Sequence, residues 1–274
     1  MKKINHKLAN KIPVLAAIIF AVVGLLATQV TTFGLSTIIH RFLPVFPEQT
    51  NPIVVVAVAF LALFLYKLWF RPEYTGSVVY SEYKKVWVLL AAYALFFAYG
   101  VTELVISHEP YKLTFNGFCM ALFAGTLEEV VFRGYMIPVM MRKKKSIAVA
   151  LFVSSGVFGL VHGANGLAGA GFGITVLQVF TSLALGIVLG GMYLLSGNLL
   201  IPIAIHTIHD ILAVGMQSAV TETGVMKTTV TADTLLAQIP LVILLTVTLL
   251  FIFNKKNMET IYSVWEKKWK LSEE

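Results

Sequence analysis

The chain has 274 residues, 58% of them hydrophobic and only 13% charged, with a mean hydropathy of +0.82 and a formal net charge of +7. Soluble domains carry about 25% charged residues, so a soluble enzyme or nucleic-acid-binding module is excluded in favour of an all-α polytopic membrane helix bundle. Lysines beside an inner leaflet meet anionic lipid, which accounts for the positive charge without a nucleic-acid partner.

Apolar stretches long enough to cross a ~30 Å hydrocarbon core as helices run at about 12 to 31, 52 to 70, 85 to 105, 114 to 139, 147 to 163, 173 to 195, 199 to 217 and 235 to 254. They predict about eight transmembrane helices in a single domain over 1–254, followed by a basic amphipathic tail at 255–274. The lysines before the first stretch give it the look of a secretory signal. Its length and the lack of a small-residue cleavage site read instead as a retained span.

With both termini cytoplasmic, Lys2, Lys3, Lys7, Lys11, Lys67, Arg71, Lys84, Lys85, Arg142, Lys143, Lys144, Lys145, Lys255, Lys256, Lys267, Lys268 and Lys270 all fall inside. Only Arg41, Lys112 and Lys227 fall outside, and Arg133 is left within the membrane. That asymmetry follows the positive-inside rule. Cys119 sits alone inside a span, so there is no disulfide framework and no Cys-based metal site. No oligomeric state follows from the sequence.

The fourth stretch carries Glu128, Glu129 and Arg133 at mid-depth, where a charge costs roughly 2.5–3.5 kcal/mol on insertion scales and normally marks a protein interior or wet cavity. Glu129 and Arg133 are four apart and share a helix face. Glu128 lies about 100° around from Glu129 and is aimed elsewhere, a second carboxylate and a candidate general base for water. A purely structural ion network that fixes helix packing is the competing reading.

Two further spans bring ionisable groups to similar depth. Phe158 and His162 are four apart on the fifth, and His206 and Asp210 are four apart on the seventh. At ~1.5 Å per residue, Glu128 and His162 lie about 20 and 24 Å from the basic-side ends of their helices, and His206 and Asp210 about 12 and 18 Å. Between them, glycines are dense from Gly156 to Gly191, with GxxxG spacing at Gly159–Gly163, Gly169–Gly173 and Gly186–Gly190. Small faces of this kind allow close helix approach, and the run from Gly163 to Gly173 also suits a flexible outer connection or gate. In the tail, Ile261, Trp265 and Trp269 recur every four residues among lysines, as in a helix lying on the inner interface; a frayed polar terminus is the alternative.

Converging glutamate, histidines and aspartate permit two chemistries. Glu128 can activate water with His162 holding it, while His206 and Asp210 stabilise the oxyanion. Alternatively the same side chains hold Zn²⁺ and its bound water attacks. His209, three residues from His206, is a substitute for it in either scheme, although only His206 has the four-residue spacing to Asp210. His6, His40 and His108 sit near helix ends or loops. The sequence from His108 to Lys112 departs from HExxH, and neither a GxSG nor a GxGD intramembrane motif is present.

Three short patterns on three successive apolar helices resemble those of the CAAX-protease and bacteriocin-processing (CPBP, or Abi) membrane peptidases. EExxxR falls on Glu128, Glu129 and Arg133, FxxxH on Phe158 and His162, and HxxxN or HxxxD on His206 and Asp210, within a motif core at about 113–217. The resemblance implies an intramembrane glutamic endopeptidase without a cofactor, Zn being the competing account. It implies Glu128 as catalytic base, His162 as its partner on the water, His206 with Asp210 as the oxyanion pair, and Glu129, Arg133 and Phe158 as structural support. Aspartate rather than asparagine at 210 is similar to the bacterial branch, so the expected setting is a bacterial cell membrane. The expected partners are the lipid bilayer and a membrane-associated peptide or protein substrate. An aspartate donates a hydrogen bond only when protonated, which sets Asp210 apart from the asparagine pattern. Two readings outside this chemistry remain: a non-catalytic immunity or scaffold protein using the polar core for structure, and a proton-coupled transporter. The latter lacks the paired interrupted helices of related halves.

Overall fold

The computed structural model describes residues 12–44, 51–69, 85–108, 110–141, 146–167, 169–223 and 230–270. Lys2, Lys3, Lys7, Lys11, His6, Arg71, Lys84, Arg142 to Lys145 and Lys227 lie outside them, as does the side chain of Trp269. Helices follow one another as α1 (Pro13–His40), α2 (Pro52–Trp69), α3 (Val86–Ile106), α4 (Phe115–Met141), α5 (Ile147–Val161), α6 (Phe172–Ser196), α7 (Leu200–Thr223), α8 (Ile239–Ile252) and α9 (Lys255–Lys270). Short helical turns at Ala164–Leu167 and Ala232–Leu236 extend α5 and precede α8. All eight expected spans are helices. Among the described residues six, counting α5 and α8 with their short neighbours, are long and apolar enough to cross a membrane, and Pro52–Leu65 of α2 and Leu200–Met216 of α7 are further apolar stretches. This is an integral, multi-pass helical bundle.

Local chemistry sets the helix ends. The Thr114 hydroxyl accepts from the Gly117 amide at 3.0 Å to start α4, and the Ser146 hydroxyl accepts from Ala148 at 3.1 Å to start α5, each satisfying an amide the helix leaves unpaired. At the other end of α6, Gly197 takes φ 63°, a left-handed C-cap that costs a glycine little. Asn198 Oδ1 then accepts from Leu200 at 3.0 Å and the chain turns at once into α7.

α4 is the central element: 61% of its span is buried inside the protein, against 39% or less for the other spans. Phe132, Met136, Ile137 and Met140 pack with Leu151 of α5 and with Ile187, Val188 and Tyr193 of α6. On its other side Phe123 and Leu127 meet Val54, Val55 and Val58 of α2. The expected plain α-helix is interrupted. Val130–Met136 is wound as a π-helix, and α-geometry resumes at Ile137. Pro138 explains the position, since it has no amide for the Gly134 carbonyl and its ring crowds that turn. The Phe132 carbonyl inside the π segment accepts from Ser154 Oγ of α5 at 2.8 Å.

α9 is helical, and its apolar stripe is turned onto the bundle: Ile261 and Val264 are fully buried. Trp265 Nε1 donates to the Leu194 carbonyl at 3.0 Å. Lys85 Nζ, at the start of α3, donates to the Lys256 carbonyl at 2.9 Å and to Thr260 Oγ1 at 2.6 Å.

α4 and α7 approach closely at Gly125, where a Cβ would lie 2.8 Å from the Thr207 amide nitrogen and 3.0 Å from its Cα. That contact is one turn from the glutamates and one residue from His206. Because backbone cannot step aside as a flexible side chain can, Gly125→Ala is expected to destabilise the bundle by roughly 1–3 kcal/mol. Gly156→Ala, with open space around the new methyl, should be near neutral. Thermal unfolding of both variants in detergent measures the difference.

Candidate active site

Glu128 lies halfway along α4, and the two neighbouring glutamates occupy different environments. Glu129 and Arg133 are fully buried, while the Glu128 side chain retains 23% exposure. Arg133 Nη1 donates to Glu129 Oε1 at 2.6 Å, as their four-residue spacing requires. Its Nη2 donates to the Gly186 carbonyl of α6 at 3.1 Å, and its guanidinium carbon sits 4.5 Å over the Phe158 ring of α5, a cation–π contact. A Cβ on Gly186 would stand 3.1 Å from Phe158 and 3.2 Å from Arg133 Nη2. Only glycine leaves room for both.

α7 inserts His206 between the glutamates. Its Nδ1 lies 2.8 Å from Glu129 Oε1, so a carboxylate there makes Nδ1 the donor. On the opposite edge of the ring, Nε2 lies 3.7 Å from Glu128 Oε2 and 3.6 Å from Asp210 Oδ2. Glu128, expected to point away from its neighbour's partners, thus faces the same imidazole. The two carboxylates diverge, but a ring with a nitrogen on each edge can address both.

His162 caps the C-terminal end of α5. Its Nδ1 lies 2.9 Å from the Phe158 carbonyl, and a carbonyl only accepts, so Nδ1 carries the proton and the neutral ring keeps its lone pair on Nε2. The Phe158 ring stands edge-on to both imidazoles, at 4.9 Å from His162 and 5.6 Å from His206. Glu128, Glu129, Arg133, Phe158, His162, His206 and Asp210 therefore gather in one place from α4, α5 and α7.

His209 does not share it. It turns toward α3, with Nδ1 3.3 Å from the Tyr93 hydroxyl and its ring stacked on Phe96. His40 ends α1, and His108, with φ 50°, follows α3. Among the described residues no group of three or more His, Cys, Asp and Glu is disposed to hold a metal ion. Sequence reasoning missed the Glu129–His206 bond and the role of Gly186. The glycine spacing at 186 was a signal, but it spoke of close helices and not of a carbonyl turned to a guanidinium.

Residues 110–212 match the family model described as type II CAAX prenyl endopeptidase Rce1-like. No curated protein and no solved structure matches the chain. The matched segment contains the EExxxR, FxxxH and HxxxD positions.

Removing one member of a buried ion pair leaves the other uncompensated, at a cost of about 3–5 kcal/mol. Arg133→Met is accordingly expected to lower the unfolding temperature sharply. Adding Glu129→Gln should recover part of the loss, as thermal denaturation of the single and double variants in detergent will measure.

Proposed function

From the match of residues 110–212 to the Rce1-like family model, we propose that the chain is an intramembrane endopeptidase that uses Glu128 to activate water against a peptide bond of a membrane-associated protein or peptide. The observation that carries this reading is the meeting of Glu128, His206 and Asp210 around one imidazole nitrogen, with the partly exposed Glu128 set against the fully buried Glu129–Arg133 pair.

In the proposed reaction Glu128 takes a proton from water while the Nε2 lone pair of His162 accepts the other hydrogen bond and holds the water in line. The hydroxide adds to the carbonyl carbon. His206, carrying both ring protons, donates Nε2–H to the resulting oxyanion. Glu129 fixes the ring through Nδ1, and Asp210, as a carboxylate, orients it and balances its charge. The C–N bond then breaks, and Glu128 returns its proton to the leaving amine. At 3.6 and 3.7 Å from the two carboxylates, Nε2 makes no short hydrogen bond to either, which leaves its N–H for the oxyanion. The proposed setting is a bacterial cell membrane, with the native substrate among its membrane-associated peptides.

Protein in detergent or liposomes, offered a panel of membrane-anchored peptides, should lose about 10²–10⁴-fold in kcat on Glu128→Gln or His162→Gln, with helical content unchanged by circular dichroism. Undiminished turnover in Glu128→Gln would overturn the assignment. A cellular phenotype that survives the same substitution would favour the scaffold reading instead. Elemental analysis of active protein together with chelator treatment decides the zinc account, and activity that persists without bound metal is the expected result.

A further inference from the structure

α7 carries a second polar contact, about 60° around the helix from His206. His209 Nδ1 lies 3.3 Å from the Tyr93 hydroxyl of α3. Its ring stacks on Phe96 at 6.3 Å and 16°, and Tyr93 stacks in turn on Phe97 at 6.1 Å and 23°. Tyr93 is 2% exposed. A Phe–Leu contact would join two apolar helices as well, so a phenol and an imidazole here call for a reason, since polar groups at membrane depth are costly and tend to be retained for function.

Position along α7 supplies the reason. His209 precedes Asp210 and is three residues beyond His206, so these three side chains fan across a sector about 100° wide. Asp210 lies within electrostatic reach of Tyr93, and His206 within reach of His209. Rotating α7 by ~20° would move a side-chain tip on it by about 2 Å, given the helix radius. Such a swing would change the 3.7 Å separation between His206 Nε2 and Glu128 Oε2 on α4, while Asp210, on the same helix as His206, turns with it. The close approach at Gly125 and the Glu129–His206 bond hold α7 against α4, and the hydrogen bond to α3 gives α7 a second, angularly separate point of attachment against rotation.

The geometry points to Tyr93 and His209 as a positioning pair that sets the rotation of α7 and thereby aims His206 and Asp210 at Glu128. The pair makes α3, which lies outside the matched segment 110–212, part of the site's machinery. This rests on the hydrolase reading for its consequence in turnover, but not for its geometry.

The test uses the full-length protein with isotope-labelled histidine, the His206 resonance being assigned by its loss in His206→Gln. Tyr93→Phe and His209→Leu should each shift the His206 ring signal. His209→Asn, whose amide can take the place of Nδ1 opposite Tyr93, should restore it. Tyr99→Phe, at a 43% exposed position of α3, should leave it unmoved. On a peptide the wild type cleaves, Tyr93→Phe and His209→Leu are expected to lower kcat about 5–20-fold with KM unchanged, and the double variant no further than either single one, as for a coupled pair. An unmoved His206 signal in Tyr93→Phe, or losses that multiply in the double variant, would overturn the proposal. Unimpaired cleavage by Glu128→Ala would instead sink the hydrolase reading and leave the histidine signal to judge the pair.

Discussion

A guanidinium and a carboxylate that share no exposure to solvent, Arg133 and Glu129, hold the centre of this bundle together. In a low-dielectric interior neither charge is tolerable alone, and each is satisfied by more than the other. Arg133 also reaches the Gly186 carbonyl and the Phe158 face, while Glu129 Oε1 also receives the His206 ring. One ion pair thus ties α4 to α5, α6 and α7. Two further features of the site are located by that tie: His206 is oriented because Nδ1 is occupied, and Phe158 is held beside both imidazoles with the cation resting on it.

The division of labour between two adjacent glutamates follows from the same arrangement. Glu129 has exchanged solvent for two partners, Arg133 and His206, and is committed to structure. Glu128, one residue earlier, keeps partial access and faces Nε2 without a short bond to it. A carboxylate that must pick up and return a proton needs that looser attachment, and the rigid pair behind it supplies the fixed frame that a loosely held group cannot provide for itself.

Much of this was legible in the chain. Eight apolar stretches became eight helices because a membrane permits few backbone alternatives, and the pairs Glu129 with Arg133 and His206 with Asp210 were legible because four-residue spacing is a property of one helix. What joins helices was less so. Nothing local to Gly186 announces that its carbonyl accepts a hydrogen bond from Arg133, and the facing of His209 toward Tyr93 depends on where α3 packs, which no spacing within α7 encodes.

The π-helical stretch from Val130 to Met136 has a bearing on how such chains are compared. Its wider turns accommodate one residue more than α-geometry would, so the portions of α4 before and after it are out of phase by about 100°. A helical wheel drawn straight through Phe115–Met141 would therefore misassign lipid-facing and inward-facing positions on one half or the other. An alignment that allows no gap between 130 and 136 would pair structurally unlike residues downstream of Arg133. Loss of one residue within this stretch is a change the helix can absorb by reverting to ordinary winding, at the cost of re-aiming everything that follows.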